Sequence, residues 1–365
     1  MKDIKTYIDE GLFDVNNKPK TIAKDVSIEM AKQFVEKHLT IRVSSSWRFL
    51  NFTENEWELD SNTGAIKLKH AGNYISALYI EDWDPKTAFP IDLSGVKISM
   101  LTIRKSIAKN FKNMFYRPTP TNINILHINS CEFDSWEGLE GFQTSKLDVV
   151  SCYNIENWKN APKVLNDIYI SETKINTLEG IPQVNKSIEM HHVFSDAFIE
   201  NAKCNINAST LFRAQLQSVN GLTIKGCGVV DLILYHCNSF RGAKINCKSL
   251  SIFGQSSNLK NFEGSYINAE TIMIDSCSIE NCKGLNNTLV NARVVVLKNI
   301  TGLKSFEGLP KNIQSLTLQA VDDDMLDYTT LPYCYNITCQ TGRANNISPQ
   351  ARAELEKHCV NLEII

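Results

Sequence analysis

The chain has 365 residues with 38 basic against 40 acidic side chains and a formal net charge of −2, a balance that offers no general field to nucleic acid or to an anionic membrane. Hydrophobic residues make up 43%, enough for a packed core, and no apolar run approaches the ~18 residues that span a bilayer. Eleven cysteines, an odd number with no CxxC spacing, point to reduced structural thiols and not to disulfides or zinc, so neither metal nor cofactor is expected.

The first residues, Met1-Lys-Asp-Ile-Lys-Thr-Tyr-Ile8-Asp9-Glu10 before Gly11, have a basic start but no apolar stretch behind it, so they are not a secretory signal. Ile8-Asp9-Glu10 ahead of Gly11, with Met-Lys and a nearby Tyr, resembles the cleavable capsid-targeting peptide of T4-like bacteriophages. That resemblance implies cutting after Glu10 and a place in the virion interior or host cytoplasm. An ordinary amphipathic N-terminal turn is the competing reading. Residues 11–70 read as a cap. Ile28, Ala31, Val35 and Leu39 share one helical face, and Ser27 is a candidate N-cap. A strand pattern follows at Leu39-Thr-Ile41-Arg-Val43, and Asn62-Thr-Gly64 between Leu59 and Ile66 predicts a hairpin. Trp47 and Trp57 are expected to plug the end of the core.

From residue 71 to 342 one pattern recurs. Paired apolar positions fall at Leu78/Ile80, Leu101/Ile103, Leu126/Ile128, Leu147/Val149, Ile168/Ile170, Ile188/Met190, Leu232/Leu234, Leu250/Ile252, Ile272/Ile274, Leu316/Leu318 and Ile337/Cys339, with a copy at Val294/Val296 and a degenerate one near Leu211. Such a period marks a solenoid: each pair is one short strand whose inward face only stacked neighbours can bury. Beyond the pairs come Cys131, Cys152, Thr173, Cys237, Cys277 and Asn299, read as an inward turn position. Further on, Phe133…Trp136-Glu-Gly138, Leu259…Phe262-Glu-Gly264 and Phe306-Glu-Gly308-Leu309-Pro310 predict an irregular return, its glycine in a left-handed turn and its Pro preventing a long helix. Ile123-x-x-Leu126-x-Ile128-x-x-Cys131 resembles the leucine-rich repeat over roughly residues 75–340. The resemblance implies an α/β fold: a right-handed leucine-rich-repeat horseshoe with a parallel concave sheet of about thirteen strands. A parallel β-helix is the alternative.

Residues 105–122 interrupt the period. They read as a convex helical turn burying Ile107, Phe111 and Phe115, or as a basic, aromatic loop for an acidic or nucleic-acid partner. Residues 195–202 suggest a helical turn, and Lys225-Gly226-Cys-Gly228 is too short and badly placed for a phosphate loop. In residues 343–365, Ser348-Pro349 starts a capping helix closed by Val360 to Ile365.

Strand residues that alternate with the inward ones form columns on the concave face. Aromatics and histidines gather at Tyr169, Glu189, His191, Phe212, Tyr235, His236, Phe253 and Asp275, types that supply interface area with polar handles. They are the candidate binding surface for a protein partner, with no nucleic acid or membrane expected. An enzymatic alternative would use His191, His192 and His236 with Glu172 and Glu189 on a metal, but no nucleophile with a base at a persuasive spacing accompanies them. The reading is a non-enzymatic protein-binding scaffold, virion-associated or acting on a host protein.

Overall fold

The structure is a computed structural model and describes residues 24–42, 49–116, 122–175, 178, 180–191, 203–205, 210–215, 223–225, 229–254, 259–285, 292–321, 325–340 and 347–365. They fall into two compact units, one running to Ile175 with Gly180–Pro182 and one from Gln183 onward. Both are parallel β-solenoids. No helix among the described residues is long and apolar enough to cross a membrane.

The first unit opens with helix α1 (Lys24–His38). Its buried face is Met30, Ala31, Phe34, Val35 and His38, while Ile28 is 43% exposed. The inward stripe is therefore rotated from the one expected, and Ser27 lies within the helix and does not cap it. The helix packs by setting Phe34 against Phe89, with ring centroids 5.7 Å apart and planes tilted by 58°, and by placing His38 Nδ1 2.8 Å from the Glu81 carbonyl. Strand β1 (Leu39–Arg42) runs antiparallel to β2 (Phe49–Asn51) and to β5 (Tyr74–Glu81), with Leu39 opposite Ile80. It thus closes the edge that the first solenoid strand would leave open. Strands β3 (Trp57–Leu59) and β4 (Ile66–Leu68) form the expected hairpin, its turn held by Gly64 N–H on the Asp60 carbonyl at 2.7 Å. Strand β4 also pairs in parallel with β6 (Ile91–Asp92). Trp57 is only half-buried; the tryptophan that fills this end is Trp83, 1% exposed. Trp47 lies outside the described residues.

The main ladder of this unit joins β5, β7 (Lys97–Arg104), β8 (Asn122–Asn129), β9 (Gln143–Val150) and β10 (Lys163–Ser171), all parallel. Leu78, Leu101, Leu126, Leu147 and Ile168 stand in one register column, each at most 1% exposed. Burying such a side chain contributes roughly 1.5–3 kcal/mol, and the contribution repeats with every rung. The interruption at 105–116 is irregular chain and not a helical turn: Phe111, Met114 and Phe115 are buried, but Ile107 is 53% exposed.

In the second unit β11 (Ser187–His191) pairs with β13 (Thr210–Gln215), followed by β15 (Val229–Tyr235), β16 (Lys244–Phe253), β17 (Tyr266–Asp275), β18 (Val294–Lys298), β19 (Asn312–Gln319) and β20 (Tyr333–Gln340). The register aligns Phe212 and Ala214 with Ile188/Met190 and Leu232/Leu234. The degenerate copy is therefore Phe212/Ala214, one residue on from Leu211. A second ladder joins β12 (Lys203–Asn205), β14 (Thr223–Lys225) and the leading halves of β16 and β17, so the rungs here carry two strand segments where the sequence suggested one. Helix α2 (Pro349–Lys357) is N-capped by Ser348, whose Oγ accepts from Ala351 N–H at 3.1 Å. Its tail is not a loose closure but a further strand, β21 (Cys359–Ile364), parallel to β20. The expected helical turn at 195–202 and the turn at 226–228 lie outside the described residues.

Nine of the ladder strands end in a left-handed corner. Asp82, Lys105, Ser130, Ser151 and Glu172 in the first unit, and His236, Ser276, Asn299 and Ala320 in the second, have φ between 48° and 59°. An L-residue pays about 1–2 kcal/mol there. The offset is an extra rung-to-rung bond: Ser130 N–H donates to Val150 O at 2.9 Å and Ser276 N–H to Lys298 O at 2.9 Å, as the ladder continues past the strand. The residue after the corner then points inward: Cys131, Cys152, Thr173, Cys237, Cys277 and Ile300. Asn299 is the exposed corner residue, so the inward turn position belongs to Ile300. The inward thiols meet backbone: Cys131 Sγ approaches the Ile103 carbonyl at 3.6 Å. Burial raises the wholly enclosed Cys282 thiol to about 12, which suppresses thiolate chemistry.

A second corner follows the buried plug residue. Gly138, Gly284 and Gly308 have φ of 95–99°, and a Cβ at Gly284 would lie 1.8 Å from Phe262 O of the preceding rung. At Gly264 (φ 78°) the nearest atom to such a Cβ is Arg241 Cγ at 3.7 Å. Gly284→Ala is therefore expected to destabilise by several kcal/mol, whereas Gly264→Ala costs only the local backbone strain, about 1–2 kcal/mol. Denaturant titration of both variants checks this; equal losses would contradict the close approach of rungs at Gly284.

Candidate functional site

Side chains between and after the inward pairs form outward columns, as their alternation requires. In the first unit the central column is Tyr79, Thr102, His127, Asp148 and Tyr169, each beside the next across the parallel ladder. Tyr79 meets Phe49 edge-on at 4.9 Å and carries the Arg104 guanidinium 5.2 Å over its ring. Arg104 also pairs with Glu81 at 2.5 Å. Thr102 is 1% exposed, and its Oγ1, like Arg104 Nε, has no hydrogen-bond partner among the described residues. Lys146 Nζ lies 3.0 Å from Asp148 Oδ1, as an ion pair without hydrogen-bond geometry. Burial, with help from Arg104 and Lys146, lowers the His127 pKa against the opposing pull of Asp148, so the ring is neutral near pH 7. The accessible part of this column is His127, Asp148 and Tyr169, since Tyr79 and Thr102 are covered. Only Tyr169 was singled out from sequence. The same rule, applied to the residue between each apolar pair, reaches the other four.

The remaining described candidates lie in the second unit. Glu189 and His191 are two apart on β11, with His191 Nε2 3.3 Å from Glu189 Oε2. Tyr235 and Phe253 are register partners at the end of β15 and β16; their rings stack at 5.2 Å with planes 20° apart, and both are half-exposed. His236 does not belong to the sheet face: it is the exposed left-handed corner residue of its rung, φ 59°. Phe212 is in register with Ile188 and Leu232, so its backbone position belongs to the inward column and not to the outward set. Ile8, Glu10, Gly11 and His192 fall outside the described residues. No group of three or more His, Cys, Asp or Glu that could hold a metal occurs among those described.

Asp275 follows Phe253 in register but is only 7% exposed. Its Oδ1 accepts from Asn299 Nδ2 at 2.9 Å and from Ser276 Oγ at 2.8 Å, and its Oδ2 faces Lys298 Nζ at 3.1 Å. It is a structural clamp between rungs and is not available to a partner. Burial pushes its pKa up, but the bonds from Asn299, Ser276 and Lys298 outweigh that and hold it below the usual carboxylate value.

Comparison with family models, with curated proteins and with solved structures returns no match.

A depressed folded-state pKa means that Asp275 stabilises above the unfolded carboxylate value and loses that contribution as pH falls through the folded one. Asp275→Asn should therefore lower the melting temperature most near pH 7. The gap to wild type should close below about pH 4. A gap independent of pH would remove the charge from the explanation.

Proposed function

We propose that this chain is a non-enzymatic protein-binding scaffold that docks through the outward sheet face of its second unit. The observation that carries the reading is the Tyr235–Phe253 stack: two half-exposed aromatic rings on adjacent rungs, in the same unit as the polar Glu189–His191 pair two rungs earlier on β11. Aromatic anchors that lose little conformational freedom on binding dominate protein interfaces. The fold type we propose is the leucine-rich repeat. Its support is the spacing Ile123, Leu126, Ile128, Cys131, all four inward and buried. The second ladder of β12, β14, β16 and β17 favours a parallel β-helix as the competing description.

We infer a bacteriophage setting from Ile8-Asp9-Glu10 ahead of Gly11 alone. On this reading the protein is carried in the virion and engages a host or phage protein. A cytoplasmic, unpackaged binding protein directed at the host is the alternative.

Two outcomes test these statements. Affinity capture from bacterial lysate should recover a specific protein partner, with recovery falling at least tenfold for Tyr235→Ala combined with Phe253→Ala; undiminished capture by that variant would place the interface elsewhere. N-terminal sequencing of virion-derived protein should begin at Gly11, and an intact Met1 in that material would end the packaging reading.

A further inference from the structure

A second concavity lies in the same unit, away from the Tyr235–Phe253 stack. It is a groove of about 480 Å³ crossing three successive rungs, lined by Ala292 and Arg293, then Asn312, Ile313 and Gln314, then Tyr333 and Tyr335. That volume falls in the range of small-ligand sites, about 300–1,000 Å³. The register explains how it forms. Asn312 stands beside Tyr333, and Ile313 beside Cys334; pairing resumes at Ser315 with Asn336. Gln314 and Tyr335 therefore sit at the bend between two strand segments. There the side chains splay outward, leaving a cleft floored by the buried Ala292 and Ile313. Tyr333 and Tyr335 flank it, 57% and 55% exposed, among the most exposed large rings of the described chain.

The chemistry of the lining is selective. No carboxylate is part of it, and Glu270, one rung back from Arg293, lies outside. The Arg293 side chain makes no ion pair or hydrogen bond among the described residues, so its guanidinium fork is available to a phosphate. Two phenol rings offer stacking faces to a planar ring. The Asn312 and Gln314 carboxamides each present a donor and an acceptor, the pattern that pairs with a base edge. A hydroxyl-rich ligand would find no charged acceptor here, and a bare anion would leave the rings unused.

We propose that this groove binds a nucleoside monophosphate unit, with the base against Tyr333 and Tyr335 and the phosphate on Arg293. One cation suits one phosphate, so the net charge that argues against a broad nucleic-acid surface does not oppose it. The unit is either a free nucleotide or one residue of a single strand. The proposal is independent of the protein-binding face, since no residue is shared with it.

The test is calorimetric titration of the full chain with AMP, UMP, inorganic phosphate and a uridylate octamer. At least one nucleotide probe should bind saturably and more tightly than phosphate. Arg293→Gln and Tyr335→Ala should each weaken that binding roughly tenfold without moving the unfolding midpoint, with Tyr333→Ala as a second ring variant should Tyr335→Ala not fold. Tighter binding of the octamer per nucleotide identifies a strand as the source; no gain identifies the free nucleotide. Absence of binding at millimolar nucleotide, equal affinity for phosphate, or binding indifferent to these variants would overturn the proposal. None of those results bears on capture through Tyr235 and Phe253.

Discussion

Everything in this protein depends on rungs lying at strand-to-strand distance, about 4.8 Å, around the whole turn and not only along the sheet. At the strand end that spacing is kept by a left-handed corner whose N–H reaches the next rung, as Ser130 reaches Val150 and Asn299 reaches Gln319. At the return it is kept by glycines such as Gly284 and Gly308, where the backbone of the previous rung occupies the space of a Cβ. Leave either corner out and neighbouring rungs splay. The inward Leu and Ile columns then lose the contacts that make each rung stable.

The same spacing dictates what the interior contains. A plug residue on one rung meets its counterpart on the next, so large rings stack. Trp136 lies parallel to Trp158 at 5.8 Å, and Phe240 meets Phe262 at 5.2 Å. Trp136 satisfies its indole by donating to the Asn157 carbonyl at 2.7 Å. Cysteine suits the position after the corner because it is small, apolar and a weak donor to the carbonyls it faces. The nine cysteines whose side chains are described are all free.

The proposed function rests on the residues that the ladder turns outward. A rigid parallel sheet sets side chains in columns at fixed separation, and a binding surface needs no loop to build it. Where a column is charged it holds itself, as Asp275 does with Lys298 and Asn299. Where it is aromatic it remains partly open, as at Tyr235 and Phe253. The bends between strand segments add a different kind of feature, since side chains there diverge and leave the cleft beside Tyr333 and Tyr335.

The period, the hairpin at Asn62–Gly64, the Ser348–Pro349 helix start and most of the inward columns were legible in the chain, because alternation, turn chemistry and capping act within a few residues; in the Val294–Lys298 strand the inward pair is Val295/Leu297 and not Val294/Val296. The α1 stripe, the Phe212/Ala214 register, the exposure of Ile107 and the burial of Asp275 were not, since each depends on what a distant segment presents. The corner shows the division most clearly. Asp, Lys, Ser, Glu, His, Asn and Ala all occupy it, so no residue type announces it, and Asn299 could pass for the inward residue that is in fact Ile300. Sequence determined which side chains would be buried together; only the stacked backbone decided where the chain turns left-handed, because the bond that offsets the strain comes from the neighbouring rung.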